Sequence, residues 1–222
     1  MKYFKIKYNF FLSFLYYAAS SLLLFMLSLY SFIKFTLVFT PIYKISIKLF
    51  SLEKISNLNF NTILNEYNSL INYILFPQNK SLHFNNFSIS NTGYYHFQEV
   101  KTLFNNISIL IVTFSFILLI FIVLNELFFK FNSLKILNYT ANTIFLLVFL
   151  LVISSAKFHS FFNFMHKIIF NNDYWLFDPK TDPIINVLPE EFFLINVLFI
   201  LLLLLLEGIF LKFIYKKYSS KL

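Results

Sequence analysis

The chain has no cysteine, no arginine and only two glycines, Gly93 and Gly208. Without cysteine there is no disulfide, thiol nucleophile, lipobox or thiolate-bound zinc. Without arginine all 18 basic residues are lysine. An anionic headgroup must then be met by lysine point charges, backbone amides or aromatic hydroxyls rather than a bidentate guanidinium. Two glycines cannot build a glycine-rich phosphate cradle. HExxH, GxSxG, Walker and GxGxxG patterns are also absent, which argues against a serine hydrolase or a nucleotide-driven transporter. Charge is scarce as well, at 13% of residues against ~25% in soluble domains.

What fills the chain is hydrocarbon, with 59% apolar residues and a mean hydropathy of +0.72. This composition specifies an integral membrane protein. At 222 residues, there is room for one small bundle and one compact extramembrane piece within a single domain, 1–222. Abundant Phe, Ile, Asn, Tyr and Lys beside absent Arg indicate AT-rich coding, so the aromatic content is partly compositional. The lysines gather mainly at the ends of apolar runs and not in a basic stripe interleaved with exposed aromatics, which excludes a nucleic-acid partner.

A spanning helix needs ~20 apolar residues, and four stretches qualify: about 10–35, 103–128, 136–156 and 192–215. The first reads as an uncleaved signal anchor, because its apolar run continues well past the small residues Ala18, Ala19 and Ser20. Lys2, Lys5, Lys7, Lys130, Lys135, Lys212, Lys216, Lys217 and Lys221 fall in short stretches on one side of a four-span arrangement. The positive-inside rule places that side, and both termini, in the cytoplasm. Two longer segments, about 36–102 and 157–191, are then external. The expected fold is an all-α membrane protein, a four-transmembrane-helix bundle with a small extracytoplasmic cap resting on its outer ends, in the bacterial cytoplasmic (inner) membrane.

In the first external segment, Ile63, Leu64, Tyr67, Leu70, Ile71, Ile74 and Leu75 recur at helical spacing. Asn65, Glu66, Ser69 and Asn72 fall mostly opposite, so an amphipathic helix is predicted over 61–76, ended by Pro77. Ser81 to Ser90 alternates apolar and polar residues around Asn85-Asn86, a hairpin signal. The second segment, Phe158 to Phe193, gathers two histidines, the only tryptophan and three aspartates between two apolar runs. In the last span Glu207 lies near Lys212, which predicts a snorkelling or paired role.

Four histidines are available for chemistry. His83 and His159 read as packed or interfacial residues. His96 precedes the second span, and a helix extended upward by two turns would place His96, Glu99, Val100 and Leu103 on one face. A carboxylate there could orient the imidazole and favour its charged form, or Glu99 could simply complement a helix start. His166 precedes Trp175, an interfacial residue type, and Asp178-Pro179 and Asp182-Pro183 read as turns.

The two histidine segments also form a recognisable pair. His96, Glu99, Val100 and Lys101 precede one span, and His166, Phe170, Trp175, Phe177, Asp178, Pro179, Asp182, Pro189, Phe192 and Phe193 precede the last. This pattern resembles the small integral membrane family that includes the bacterial lipoprotein intramolecular transacylase, with Glu99 where aspartate is expected. The resemblance implies four spans, an external cap and an acyltransferase without cofactor or metal. An acyl chain would move from the sn-2 ester of a diacylglyceryl group to the α-amine of a lipoprotein's N-terminal cysteine, giving the lyso-form. It implies membrane lipids and diacylglyceryl-modified lipoproteins as partners and leaves the oligomeric state open. His96 and His166 become the expected catalytic residues, supported by Glu99, Lys101, Trp175, Asp178 and Asp182. The competing readings are a non-enzymatic membrane scaffold or lipid-binding protein, and a metalloenzyme using His96, His166 and Glu99.

Overall fold

The apolar runs and their polar flanks resolve into helices throughout. The structure, a computed structural model, describes the backbone of residues 2–219 and the side chains of 10–153 and 156–219. The orienting side chains of Lys2, Lys5, Lys7 and Lys221 lie outside the described residues. Among the described residues eight α-helices follow one another: α1 (Lys2–Val38), α2 (Thr40–Leu49), α3 (Leu52–Ser56), α4 (Phe60–Leu75), α5 (Asn91–Leu124), α6 (Leu134–Ser155), α7 (Phe158–Phe170) and α8 (Glu190–Ser219). No strand occurs among the described residues. Among the described residues four helical stretches are long and apolar enough to cross a membrane: Phe10–Val38, Asn91–Phe129, Leu134–Ile153 and Glu190–Ser219.

Two compact units are evident. The first comprises residues 1–32, 109–152 and 200–222. In hydrocarbon, helix association depends on close packing and polar contacts rather than on expulsion of water. Tyr17 and Tyr139 stack with ring centroids 5.4 Å apart, and a Cβ on Gly208 of α8 would come within 2.8 Å of the Phe145 ring of α6. Ser28 Oγ donates to Glu207 Oε1 at 2.6 Å, and Lys212 Nζ donates to Asn138 Oδ1 at 2.5 Å. The expected pairing of Glu207 with Lys212 is therefore not found; each head group meets a neutral side chain on another helix, and Glu207 Oε2 is left without a partner. At the end of α5 a π-turn, Asn125–Phe129, leads into a tight loop. Buried Asn125 accepts from Phe131 N–H and donates to the Phe131 carbonyl.

The second unit comprises residues 33–108 and 153–199. Its core joins Ile42, Tyr43 and Ile47 of α2, Leu52 of α3, Ile63, Tyr67 and Leu70 of α4, and Ile184, Val187 and Phe192. Each fully buried aliphatic or aromatic side chain contributes about 1.5–3 kcal/mol here. Tyr43 and Tyr67 stack with centroids 3.8 Å apart, and their hydroxyls donate to the carbonyls of Val187 and Leu37. Asn59 caps α4 by accepting from Thr62 N–H.

Two expectations are corrected in this unit. Glu66, assigned to the polar face of α4, is only 1% exposed. Its carboxylate accepts from the backbone N–H groups of Asn85 and Asn86 and from the Asn86 amide. Burial is tolerable because those donors replace water. Ser81 to Ser90 contains the turn at Asn85-Asn86 but no paired strands: the turn amides bond to Glu66 in place of a ladder.

Candidate functional site

The helix carrying His96 begins at Asn91, more than three turns before the predicted start of the span and beyond the two turns expected, so His96, Glu99, Val100 and Leu103 do share one face. Its first turn is organised by Asp182. The buried Asp182 carboxylate accepts from Ser90 N–H at 2.7 Å and from Thr181 Oγ at 2.7 Å. Ser90 Oγ accepts from Gly93 N–H, so orphan donors at the helix start are satisfied and a negative charge lies where the dipole favours it. Gly93 is required sterically. A Cβ there would lie 2.4 Å from Asp182 Oδ1. Asp178 forms the turn that delivers Asp182, accepting Lys180 N–H on its carboxylate and Asp182 N–H on its carbonyl.

His166 lies on α7, a helix that the sequence reading did not delimit. Asn171, in the left-handed conformation (φ 51°), ends that helix. The ring stands 4.1 Å from Phe162 and 4.9 Å from Trp175, centroid to centroid. Its Nδ1 donates to the Phe162 carbonyl at 2.8 Å. Because a carbonyl can only accept, Nδ1 holds the proton of the neutral ring and Nε2 carries the lone pair. Burial pushes the His166 imidazole below its usual range, partly opposed by the Phe162 bond.

The structure brings the two histidines together, with ring centroids 6.0 Å apart. His96 is buried, and Phe170 meets it edge-on at 4.7 Å and Phe177 at 5.6 Å. Its Nδ1 is out of solvent and has no hydrogen-bond partner.

Glu99 is held by a residue that the sequence did not single out. Asn172 donates to Glu99 Oε1 at 2.8 Å, and the Asn172 carbonyl accepts the Trp175 indole N–H at 2.8 Å. No hydrogen bond joins Glu99 to His96, so the expected orientation of the ring by this carboxylate is not what the geometry displays. Glu99 Oε2 is withdrawn from solvent and unpartnered. Beside it opens a cavity of about 480 Å³ lined by Tyr95, Gln98, Glu99, Phe170 and Tyr174, among others. Asparagine is too abundant here for Asn172 to stand out by type; its position just beyond the end of α7 was the only available signal.

The remaining candidates are elsewhere or structural. Lys101 Nζ donates to the carbonyls of Phe76 and Asn79 and sits 4.3 Å above the Tyr73 ring, closing the C-terminal end of α4. His159 is exposed rather than packed and pairs with Glu190 at 2.7 Å. His83 is exposed. Among the described residues no three His, Asp or Glu side chains converge as a metal-binding group.

A helical membrane protein with two apposed histidines in an aromatic setting is the class defined by this fold and site. The family model of the lipoprotein intramolecular transacylase Lit matches residues 18–193, and the chain belongs to that family. Its structure is similar to the in meso structure of the membrane integral transacylase Lit from Bacillus cereus, with a TM-score of 0.86 and 27% identity, covering 95% of this chain and 97% of that one. Two Bacillus cereus Lit structures with one histidine replaced also match. The arginine variant has a TM-score of 0.83 and 26% identity, covering 100% of this chain and 98% of that one. For the alanine variant the values are 0.78 and 27%, with 99% and 97% covered. No curated protein sequence matches. Four membrane-length helices and these relatives make the chain an integral membrane protein of the acyltransferase class.

Proposed function

We propose that this chain moves an acyl group within one substrate, from the sn-2 ester of a diacylglyceryl-modified lipoprotein to the α-amine of its N-terminal cysteine. The meeting of His96 and His166, from segments 70 positions apart in sequence, at a centroid distance of 6.0 Å carries this reading. The amine nitrogen bonds to the ester carbonyl carbon, the ester C–O bond breaks, and the amine proton ends on the released glyceryl oxygen. His166 is the base, because its Nε2 lone pair is free while Nδ1–H is anchored on Phe162. His96 donates from Nε2–H to the developing oxyanion, a tautomer that leaves its unpartnered Nδ1 as an acceptor rather than an orphaned donor. Phe162, Phe170, Phe177 and Trp175 exclude the water that would hydrolyse the ester. Trp175, Asp178 and Asp182 fix the segments that carry the two rings.

In the same reading the protein is a multi-pass protein of the bacterial inner membrane with both termini cytoplasmic and the histidines outside. Tyr174→Cys should react with an impermeant maleimide in intact cells and Lys135→Cys should not; the reverse labelling would remove the site from its substrate's side. The reaction is tested by expressing the chain in a host lacking it. Mass spectrometry of a reporter lipoprotein's N-terminal peptide should find the N-acyl lyso-form. An unchanged peptide, with the protein inserted and folded, would leave a scaffold or lipid-binding role.

A further inference from the structure

Glu99 has a free carboxylate oxygen and no cation of its own. One oxygen is fixed by Asn172, the other is unpartnered, and the described ion pairs involve neither. Leaving a carboxylate oxygen unmatched away from water is costly. The side chain borders an open cavity of about 480 Å³, and three of its other walls are the rings of Tyr95, Phe170 and Tyr174. Aromatic faces beside an anion favour a cation over a neutral or anionic guest. Tyr95 and Tyr174 approach each other at 6.4 Å and are both exposed, so their rings can swing without unpacking the core. Phe170 is common to this cavity and to the histidine pair, touching His96 at 4.7 Å and His166 at 5.7 Å.

We propose that this cavity is a binding site for a primary ammonium group, held by Glu99 and walled by Tyr95, Phe170 and Tyr174, and that it receives the substrate's α-ammonium before acyl transfer. The assignment to the α-ammonium rests on the transacylase reading. The binding chemistry does not, since an aminophospholipid headgroup presents the same group. Docking at Glu99 places the amine one ring away from His96 and His166, so His166 can take the proton as the amine moves toward the ester. Glu99 is thereby a binding residue and not the base.

The test uses the full chain in phosphatidylcholine vesicles and a ligand that cannot react, a cysteinyl peptide carrying a dialkylglyceryl ether in place of the diester. Binding is read from Trp175, the only tryptophan, which is tied to Glu99 through Asn172. The free-amine ligand should bind about tenfold tighter than its N-acetylated counterpart, as expected for one charge-assisted hydrogen bond. Glu99→Gln can still accept from Asn172, and it should abolish that preference while leaving the affinity of the N-acetylated ligand unchanged. Glu99→Asp should retain part of the preference.

A preference that survives Glu99→Gln overturns the site. Loss of binding of both ligands in Glu99→Gln, with the helical circular dichroism intact, would make Glu99 a packing residue and also overturns it. Including phosphatidylethanolamine distinguishes the two sources. If that lipid alone changes Trp175 fluorescence in a Glu99-dependent way and erases the peptide's preference, the occupant is a headgroup and the assignment to the substrate fails. Lyso-lipoprotein formation, measured separately, tells the two claims apart. Transfer without a Glu99-dependent amine preference defeats only the ammonium site, whereas the preference without transfer defeats the transacylase reading.

Discussion

Asn172 donates its side-chain amide to Glu99 at 2.8 Å, and through its own carbonyl it also holds the Trp175 indole at 2.8 Å. One residue past the end of α7 thus couples the helix bearing His96 to the ring packed against His166. Asn172→Asp should break this link by removing the donor and setting two carboxylates together. The indole bond remains available, because it uses the backbone carbonyl. We expect activity to fall at least ~10-fold, the cost of losing one hydrogen bond to a charged group, with a red shift of Trp175 emission. Unchanged activity and emission would show that the coupling is incidental.

His96→Ala and His166→Ala should each lower N-acylation by ~10²–10⁴-fold, the usual range for a general acid–base group. His159→Ala and His83→Ala should stay within a few-fold of the parent. The contrast follows from burial and partners: His159 is a surface ion-pair member and His83 is exposed. Exposed pairs contribute about 0–1 kcal/mol. A large loss in His159→Ala and none in His166→Ala would exchange their roles.

The spans were legible because a run of ~20 apolar residues has few alternatives to crossing a bilayer. His96 and His166 were singled out by the family resemblance that the stretches before the second and last spans carry; their residue types alone left interfacial readings open. Their proximity was not legible, since nothing in either segment encodes distance across 70 positions. Helix α7 was not read from the sequence although His159, Asn163, His166 and Lys167 recur at i, i+4, i+7 and i+8 and mark a polar face; the segment is short and its outward residues include Phe164 and Ile168 as well. The short helices α2 and α3 were not read from the sequence, where Pro41, Ser51 and Asn57 interrupt any longer helical period. Here Pro41 sits in the first turn of α2, where its missing N–H costs nothing, and Ser51 and Asn57 bracket α3 in left-handed conformations. The burial of Glu66 was hidden for a similar reason, as its partners lie 19 and 20 positions away.

The pH dependence follows from His166. Burial holds its imidazole below the usual value of about 6.5. The neutral ring required of a base is therefore the majority form through neutral pH and somewhat below. The acid limb of the rate should fall below about pH 6.5, where a solvated histidine would have its midpoint. The stability term has a matching sign. The unfolded chain protonates this ring more readily than the fold does, so the contribution is fully present above about pH 6.5 and declines as pH drops below it. A pH–rate profile of N-acylation checks the first statement. A limb centred above 6.5 would mean that the protonated ring is stabilised at the site, contrary to its packing against Phe162 and Trp175.

Glu66 offers a test of the fold apart from the histidines. Its buried carboxylate accepts three N–H bonds at 2.7–3.0 Å from Asn85 and Asn86. Glu66→Ala should destabilise the unit by about 3 kcal/mol or more, because it removes the charged acceptor of three N–H bonds and opens a cavity where the buried side chain was. Glu66→Gln retains one acceptor and should cost less. Thermal unfolding in detergent, followed by circular dichroism, should rank the parent above Glu66→Gln and Glu66→Ala lowest.

Gly93 tests whether Asp182 sets the position of His96. A Cβ at residue 93 would lie 2.4 Å from Asp182 Oδ1 and 3.1 Å from the Phe177 ring, and the carboxylate cannot retreat without releasing Ser90 N–H. Gly93→Ala must therefore move either the start of α5 or the segment carrying Asp182. His96 lies less than one turn beyond, with Phe177 at 5.6 Å. In an exposed helix interior Gly→Ala would stabilise by roughly 0.5–1 kcal/mol. Here the sign should reverse, with a lower unfolding temperature and an N-acylation rate reduced ~10²-fold, the loss expected from a misplacement of about 1 Å. Asp182→Ala should relieve the clash while removing the cap. The double variant Gly93→Ala/Asp182→Ala should then lose less than the sum of the two single variants, because neighbours that share a contact are not additive. Strict additivity would separate Gly93 from Asp182 and place the origin of His96's position elsewhere on α5.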